Sequence, residues 1–222
     1  FKALASDEPL LPPQESQLRE LLEVVWDELS LPQGSEYSPN QIDVALRGGD
    51  VGFGTAPLGL ALAKADEIMK LVVRFGEFLD GKPLRTRGSA SPEILDLVQA
   101  RITQPVAGSY RFSVRLVEPA QEEMFDKGTI VQSIAPLFFN VLRAATASNP
   151  TEKEKLKKLI PDSGYRTTMV KLLRNMVPAD RSLREIELSS VHQTDGEAPV
   201  RESVVLFREV KESLNLVLRA EL

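Results

Sequence analysis

The sequence predicts an α+β fold: antiparallel sheets (a hairpin near residues 97–116 and a C-terminal three-stranded meander) packed with about five helices. Three observations lead there. From Pro57 to Leu79 apolar residues recur every three or four positions, the period of a helix with one buried side. From Tyr110 to Leu116 aromatic or aliphatic residues alternate strictly with Arg111, Ser113 and Arg115, the period of a half-buried strand. The order helix, strand, helix, hairpin, three helices, three strands lacks the regular alternation of a doubly wound fold.

Along the chain, residues 1–13 form a proline-containing lead-in to a helix from Gln14 to Leu29. Leu18, Leu21, Leu22, Val25 and Leu29 make its apolar stripe, and Trp26 sits beside it as a core-edge or partner anchor. Residues 30–41 read as a linker and 42–47 as a short strand. A glycine-rich turn, 48–55, leads into the 57–79 helix, with Pro57 in the first turn and Thr55 or Ala56 at the cap. Lys64, Asp66, Glu67, Lys70, Arg74 and Glu77 form its solvent side, and its apolar side widens after Ile68. Asp80-Gly81-Lys82-Pro83 ends it, and a cationic loop, 82–91, follows.

The segment from Ile94 to Thr103 reads as a strand, with a short helix over Pro92–Val98 as the alternative. A second long helix spans Thr129 to Ala147, and Pro136 inside it predicts a kink or a start near residue 135. Thr151 with Glu154 matches a capping box for a helix ending at Ile160, and a further helix runs from Ser163 to Met176. Leu183–Val191, Val200–Phe207 and Ser213–Leu222 supply the closing strands. These elements divide into an N-terminal helix and linker, 1–35, an α+β unit, 36–148, and a helical pair with a meander, 151–222.

Composition removes several classes of chemistry. The 222 residues include no cysteine, so there is no thiolate ligand, disulfide or cysteine nucleophile. The one histidine, His192, precludes a site built from two imidazoles of this chain. No apolar run is long enough to cross a bilayer. The absence of cysteine fits a reducing, cytoplasmic location, and the start at Phe1 suggests a processed product or an excised part of a larger protein. The net charge of -5 is uneven. Residues 1–50 carry three basic and ten acidic groups, and residues 151–185 carry nine and five.

No convergent catalytic set, metal-ligand set or cofactor motif is present. His192 and Asp195 lack any G-x-S-x-G elbow to complete a triad. The turn at Gly49, Asp50, Gly52, Gly54 and Thr55 is the candidate ligand loop, because glycines between strand and helix let backbone approach an anion. It carries neither the dinucleotide fingerprint nor a Walker lysine. Candidate partner contacts are Trp26, Arg85, Arg87, Arg111 and Arg115, and candidate nucleic-acid contacts are Lys153, Lys157, Lys158, Lys171 and Arg174, in a basic stretch that also includes Arg181 and Arg184. The scarcity of aromatics near the latter disfavours base stacking. The expected function is a protein-interaction or regulatory module, binding another chain or a second copy of itself. Ligand or enzyme use of the 48–55 loop and nucleic-acid contact through 153–184 are the alternatives.

Overall fold

A computed structural model describes residues 41–52, 55–101, 109–117, 124–147, 149–179, 181–192 and 200–220. Trp26, Gly54 and the expected Gln14–Leu29 helix lie outside these residues. The fold is α+β. Five strands, β1 (Gln41–Arg47), β2 (Val98–Arg101), β3 (Tyr110–Leu116), β4 (Glu185–His192) and β5 (Val200–Phe207), form one antiparallel sheet in the order β2-β3-β1-β4-β5. The described helices are α1 (Leu58–Leu79), α2 (Pro92–Leu97), α3 (Met124–Thr146), α4 (Pro150–Leu159), α5 (Ser163–Met176) and α6 (Val210–Ala220).

The two-residue period of the strands decides which sheet face is covered. Ile42, Val44 and Leu46 of β1 line up with Val114, Phe112 and Tyr110 of β3, and the latter two of the three also with Leu188 and Ile186 of β4. This row joins the helices in one core. Phe75 of α1 meets Phe138 of α3 edge to face at 5.7 Å between ring centres, and Phe138 meets Phe139 at 5.3 Å. The opposite face is polar. There Gln41 Nε2 donates to Asp43 Oδ1 at 2.6 Å and to Ser113 Oγ at 3.1 Å, while Arg47 reaches Glu185 and Glu187 at 3.4 and 2.8 Å.

The hairpin is formed as its periodicity predicts, with Val98 opposite Leu116 and Arg101 opposite Ser113. The strand reading of 94–103 needs correcting at its start, where Pro92–Leu97 is helical and the strand begins at Val98. Proline at the first helical position and Ile94 and Leu97 three apart make one buried helical side before the β-branched Val98. Of the C-terminal meander the antiparallel strands β4 and β5 are present, and the strand that lies on the other side of β4 is β1. The third strand expected at Ser213–Leu222 is instead helix α6, because Leu214 and Val217, three apart, both bury against the core.

Helix ends are set by local chemistry. Pro57 occupies the N-cap of α1 with no side-chain cap, and the Thr55 hydroxyl is spent on the Gly52 carbonyl. At the other end Gly81, at φ 65°, lets its own N–H reach Phe78 O and that of Lys82 reach Glu77 O, a Schellman closure. Asn149 caps α4 through Glu152 N at 2.8 Å, in place of the expected Thr151–Glu154 box, and Asp162 caps α5 through Tyr165 N at 2.7 Å. Helix α3 continues through Pro136, which lies on its exposed side, so no new start occurs at residue 135.

Two residues expected in solvent are buried cations and anions with structural partners. Lys64 is 8% exposed, and its ammonium donates to Asn175 O and Met176 O, each at 3.2 Å, closing the C-terminal turn of α5. Its Nζ also lies 2.8 Å from Glu67 Oε2. Glu77 is 3% exposed and sits between Arg74 at 2.7 Å and Arg85 at 2.8 Å. Conversely Leu58 and Leu62, expected in the α1 stripe, are exposed: Leu58 precedes the first buried residue, Ala61, and Leu62 is off the buried line of Ala61, Lys64, Ile68 and Leu71.

Replacing Lys64 with Met leaves two C-terminal carbonyls of α5 without their donor. We expect a loss of about 1–3 kcal/mol in urea unfolding, whereas Lys70→Met, which breaks only an exposed pair with Asp66, leaves the midpoint unchanged. Equal effects of the two substitutions would contradict the capping role.

The Tyr165 hydroxyl donates to Lys82 O at 2.8 Å, and burial, with a further contribution from the Glu77 carboxylate, raises its pKa above the ordinary value. The folded protein therefore holds the phenolic proton more tightly than the unfolded chain does. Its contribution to stability is complete below about pH 10 and is lost as pH rises through the raised value. A stability profile from pH 8 to 12 should fall less steeply for Tyr165→Phe than for the unsubstituted chain; parallel profiles would refute this.

Candidate functional site: an arginine-lined cleft

At one end of the sheet, β1 leaves, β4 enters and β5 leaves, as their antiparallel pairing requires. A cleft of about 420 Å³ opens there, lined by Gly49, Arg181, Leu183, Arg184, Phe207, Arg208 and Glu209. Leu183 forms its buried floor, and Phe207 keeps 43% of its surface exposed at the rim. Among the described residues no ion pair engages Arg181, Arg184, Arg208 or Glu209. Three guanidinium groups against one carboxylate leave the lining cationic. None of its side chains is a hydroxyl, imidazole or amine, so the lining suits binding of an anion through planar guanidinium forks.

The glycine-rich turn builds one wall. Gly48 and Gly49 have φ of 73° and 69°, a region that side chains with a Cβ rarely adopt. A Cβ on Gly49 would overlap the backbone of Arg181 and Ser182, and one on Gly48 would lie 2.6 Å from Arg184 Cβ. Close approach of the strand β4 lead-in is thus what these glycines provide. The backbone donors of the turn are used internally: Asp50 N donates to Ser182 O at 2.9 Å, Gly52 N to Thr55 O at 3.1 Å and Thr55 N to Gly52 O at 2.9 Å. Of the described loop residues proposed from sequence, only Gly49 lines the cleft; Asp50 and Thr55 are exposed and Gly52 is half-buried, with their backbone N–H groups bonded to Ser182 O, Gly52 O and Thr55 O respectively.

The other sequence candidates are dispersed. Arg85 is committed to buried Glu77, and its Nη1 also donates to Gly88 O, so it anchors the 82–91 loop on α1. Arg87 is exposed in that loop. Arg111 and Arg115 lie on the polar sheet face, opposite Ala45 and Gln41, with Arg111 Nε donating to Ser109 Oγ at 3.2 Å. On α4, Lys157 pairs with Glu154 at 3.1 Å while Lys158 is exposed, and Lys153 is half-buried. On α5, Lys171 is exposed and Arg174 half-buried. Sequence reasoning missed Phe207, Arg208 and Glu209. The signal was available in the pairing: a β4–β5 hairpin brings the end of β5 beside Arg184.

Among the described residues no group of three His, Asp or Glu side chains is placed to hold a metal ion, and no helix is long and apolar enough to cross a membrane. No family model matches the chain, and no curated protein or solved structure matches it at a significant level.

Gly49→Ala should lower stability by about 2 kcal/mol or more, because the strained φ and the backbone overlap act together. Gly52→Ala, with open space around its Cβ position and no positive φ, should cost much less. Denaturant midpoints measure both, and a Gly49→Ala midpoint equal to that of the parent would show that the 48–51 turn is not packed on 181–184.

Proposed function

We propose that the chain is an interaction module that recognises an anionic segment of a partner protein through the arginine cleft. The supporting observation is the convergence of Arg181, Arg184 and Arg208, none engaged in an ion pair among the described residues, around a lining whose remaining surface is Leu183, exposed Phe207, Glu209 and the Gly49 backbone. A carboxylate or phosphate can accept paired N–H bonds from one guanidinium while the others supply charge. An adjacent apolar side chain can rest on Phe207 and the edge of Leu183. The single carboxylate, Glu209, gives the cleft polarity and hence a preferred direction for the bound segment.

This reading gives the charge distribution a use. The cationic cleft lies beside the end of β5 and the start of β4, with the Arg184 N–H bonded to Arg47 O of β1. Association through such a surface is fast and depends on salt, because long-range attraction orients the encounter before apolar contacts form.

A fluorescent hexaglutamate peptide is a direct probe, with hexaglutamine as the neutral comparison. We expect saturable binding of the acidic peptide that weakens as salt rises, and at least a tenfold loss, about 1.4 kcal/mol, for the Arg184→Ala, Arg208→Ala double variant. The same loss should not occur for Lys158→Ala, Lys171→Ala. Equal binding of the two peptides, or a loss that follows the lysines rather than the arginines, would overturn the proposal.

A further inference from the structure

Residues 1–40 carry eight acidic and two basic side chains, and they join the described fold at Gln41, the first residue of β1. The arginine cleft lies at the other end of that strand, where the Arg184 N–H donates to Arg47 O. From Gln41 to Arg47 a strand advances about 20 Å. The residues between Asp27 and Gln41, 28–40, extend to about 40 Å at most. The acidic side chains near Asp27 are therefore within reach of the cleft of their own chain.

The charges of that segment are ordered. No lysine or arginine occurs between Arg19 and Arg47. Glu20, Glu23 and Asp27 follow the spacing i, i+3, i+7, which sets three carboxylates on one side of the helix expected over Gln14–Leu29, with Trp26 three residues from Glu23 beside them. The cleft presents the counterpart. Arg181, Arg184 and Arg208 are exposed and without ion pairs among the described residues, Leu183 is the floor, and Phe207 at the rim is 43% exposed. Three carboxylates thus match three guanidinium groups, and the indole has an aromatic ring to rest on. The other acidic pair of the segment, Asp7 and Glu8, lies between Ser6 and Pro9 and is tethered through a much longer stretch, 9–40, which lowers its local concentration at the cleft.

We infer that the side of the N-terminal segment carrying Glu20, Glu23, Trp26 and Asp27 occupies the arginine cleft of the same chain. The inference rests on the anion-binding reading of the cleft and adds its regulation. The segment is a tethered competitor, and the acidic segment of a partner binds by displacing it. A short tether supplies an effective concentration on the order of 1 mM, so contacts too weak to hold a free peptide suffice to hold this one. Weak acidic ligands are excluded, and a partner with more carboxylates or a better apolar anchor gains entry.

Trp26 is the one tryptophan of the chain, so the emission of the full chain reports its surroundings alone. Unlabelled hexaglutamate should shift that emission, and Arg184→Ala, Arg208→Ala should shift it in the same direction without peptide. Glu23→Gln, Asp27→Asn should bind labelled hexaglutamate about tenfold more tightly than the unsubstituted chain. Asp7→Asn, Glu8→Gln and Glu122→Gln, Glu123→Gln remove the same charge elsewhere and should leave the affinity nearly unchanged. Because the chain contains no cysteine, Asp27→Cys with Glu209→Cys, the second at the cleft, tests proximity directly: mild oxidation should form a disulfide within one monomer. Hexaglutamate that binds through the arginines while Trp26 emission stays constant and Glu23→Gln, Asp27→Asn leaves the affinity unchanged would overturn the inference and leave the cleft reading standing. Absence of binding to every form, Glu23→Gln, Asp27→Asn included, would overturn both. An equal gain from Asp7→Asn, Glu8→Gln would also overturn it, since long-range charge and not docking would then be the cause. So would a disulfide that forms only between two monomers, which would make the occupant a second copy.

Discussion

The structure depends on the double pairing of β1. This seven-residue strand is hydrogen-bonded to β3 on one side and to β4 on the other, and it is the point at which sequence segments far apart meet in one sheet. Its inward residues, Ile42, Val44 and Leu46, are at most 1% exposed. Burial of side chains of this size contributes about 1.5–3 kcal/mol each. Its outward polar residues, Gln41, Asp43 and Arg47, are satisfied by their neighbours, with Asp43 accepting from both Gln41 and Ser113 and Arg47 paired with Glu185 and Glu187. Because successive side chains alternate, a one-residue slip would exchange these two sets and bury Asp43 and Arg47. One strand therefore sets the register of its two neighbours, on which β2 and β5 pair in turn.

The position of the cleft follows from that register. The chain leaving β1 must turn at Gly48-Gly49 directly against the chain entering β4, and the Arg184 N–H is bonded to Arg47 O at 3.0 Å. The two glycines at positive φ are the local cost of this approach, and the result is a fixed wall behind Arg181 and Arg184. Charges elsewhere are used differently. Lys64 and Arg166 are buried against carbonyls at helix ends, with Arg166 Nη1 donating to Ile160 O at 2.6 Å, and Glu77 is enclosed by two arginines. Such buried charges fix the packing of α1, α4 and α5, since removing one partner strands the other. The cleft arginines differ in being exposed and, among the described residues, without ion pairs.

Most of the fold was legible because period reports burial. The strict alternation of 110–116 and the threefold-to-fourfold repeat of 57–79 each came from contact with one continuous core. The α6 segment was misread because Leu214, Leu216 and Leu218 also alternate; its helical period emerges from Leu214 and Val217, and Leu216 is exposed. Lys64 and Glu77 were placed in solvent because a charged side chain usually is, and beside their i,i+3 neighbours Glu67 and Arg74 they have partners beyond α1, the Asn175 and Met176 carbonyls and Arg85, that no local pattern specifies. For the cleft, the sequence marked the glycine turn and the Arg181–Arg184 stretch separately. Their meeting, and the addition of Phe207 and Arg208, required the β1–β4–β5 register, a long-range property.

The central claim is that β1 makes the sheet a single cooperative unit. Native-state hydrogen exchange across low denaturant concentrations tests it most directly, using the ladder amides of β1, β3 and β4. The account predicts that the slowest amides of all three strands exchange with one free energy, equal to that of global unfolding. A distinctly lower opening free energy shared by β4 and β5, with β1 and β3 still protected, would show that the sheet divides beside β1 and would contradict it.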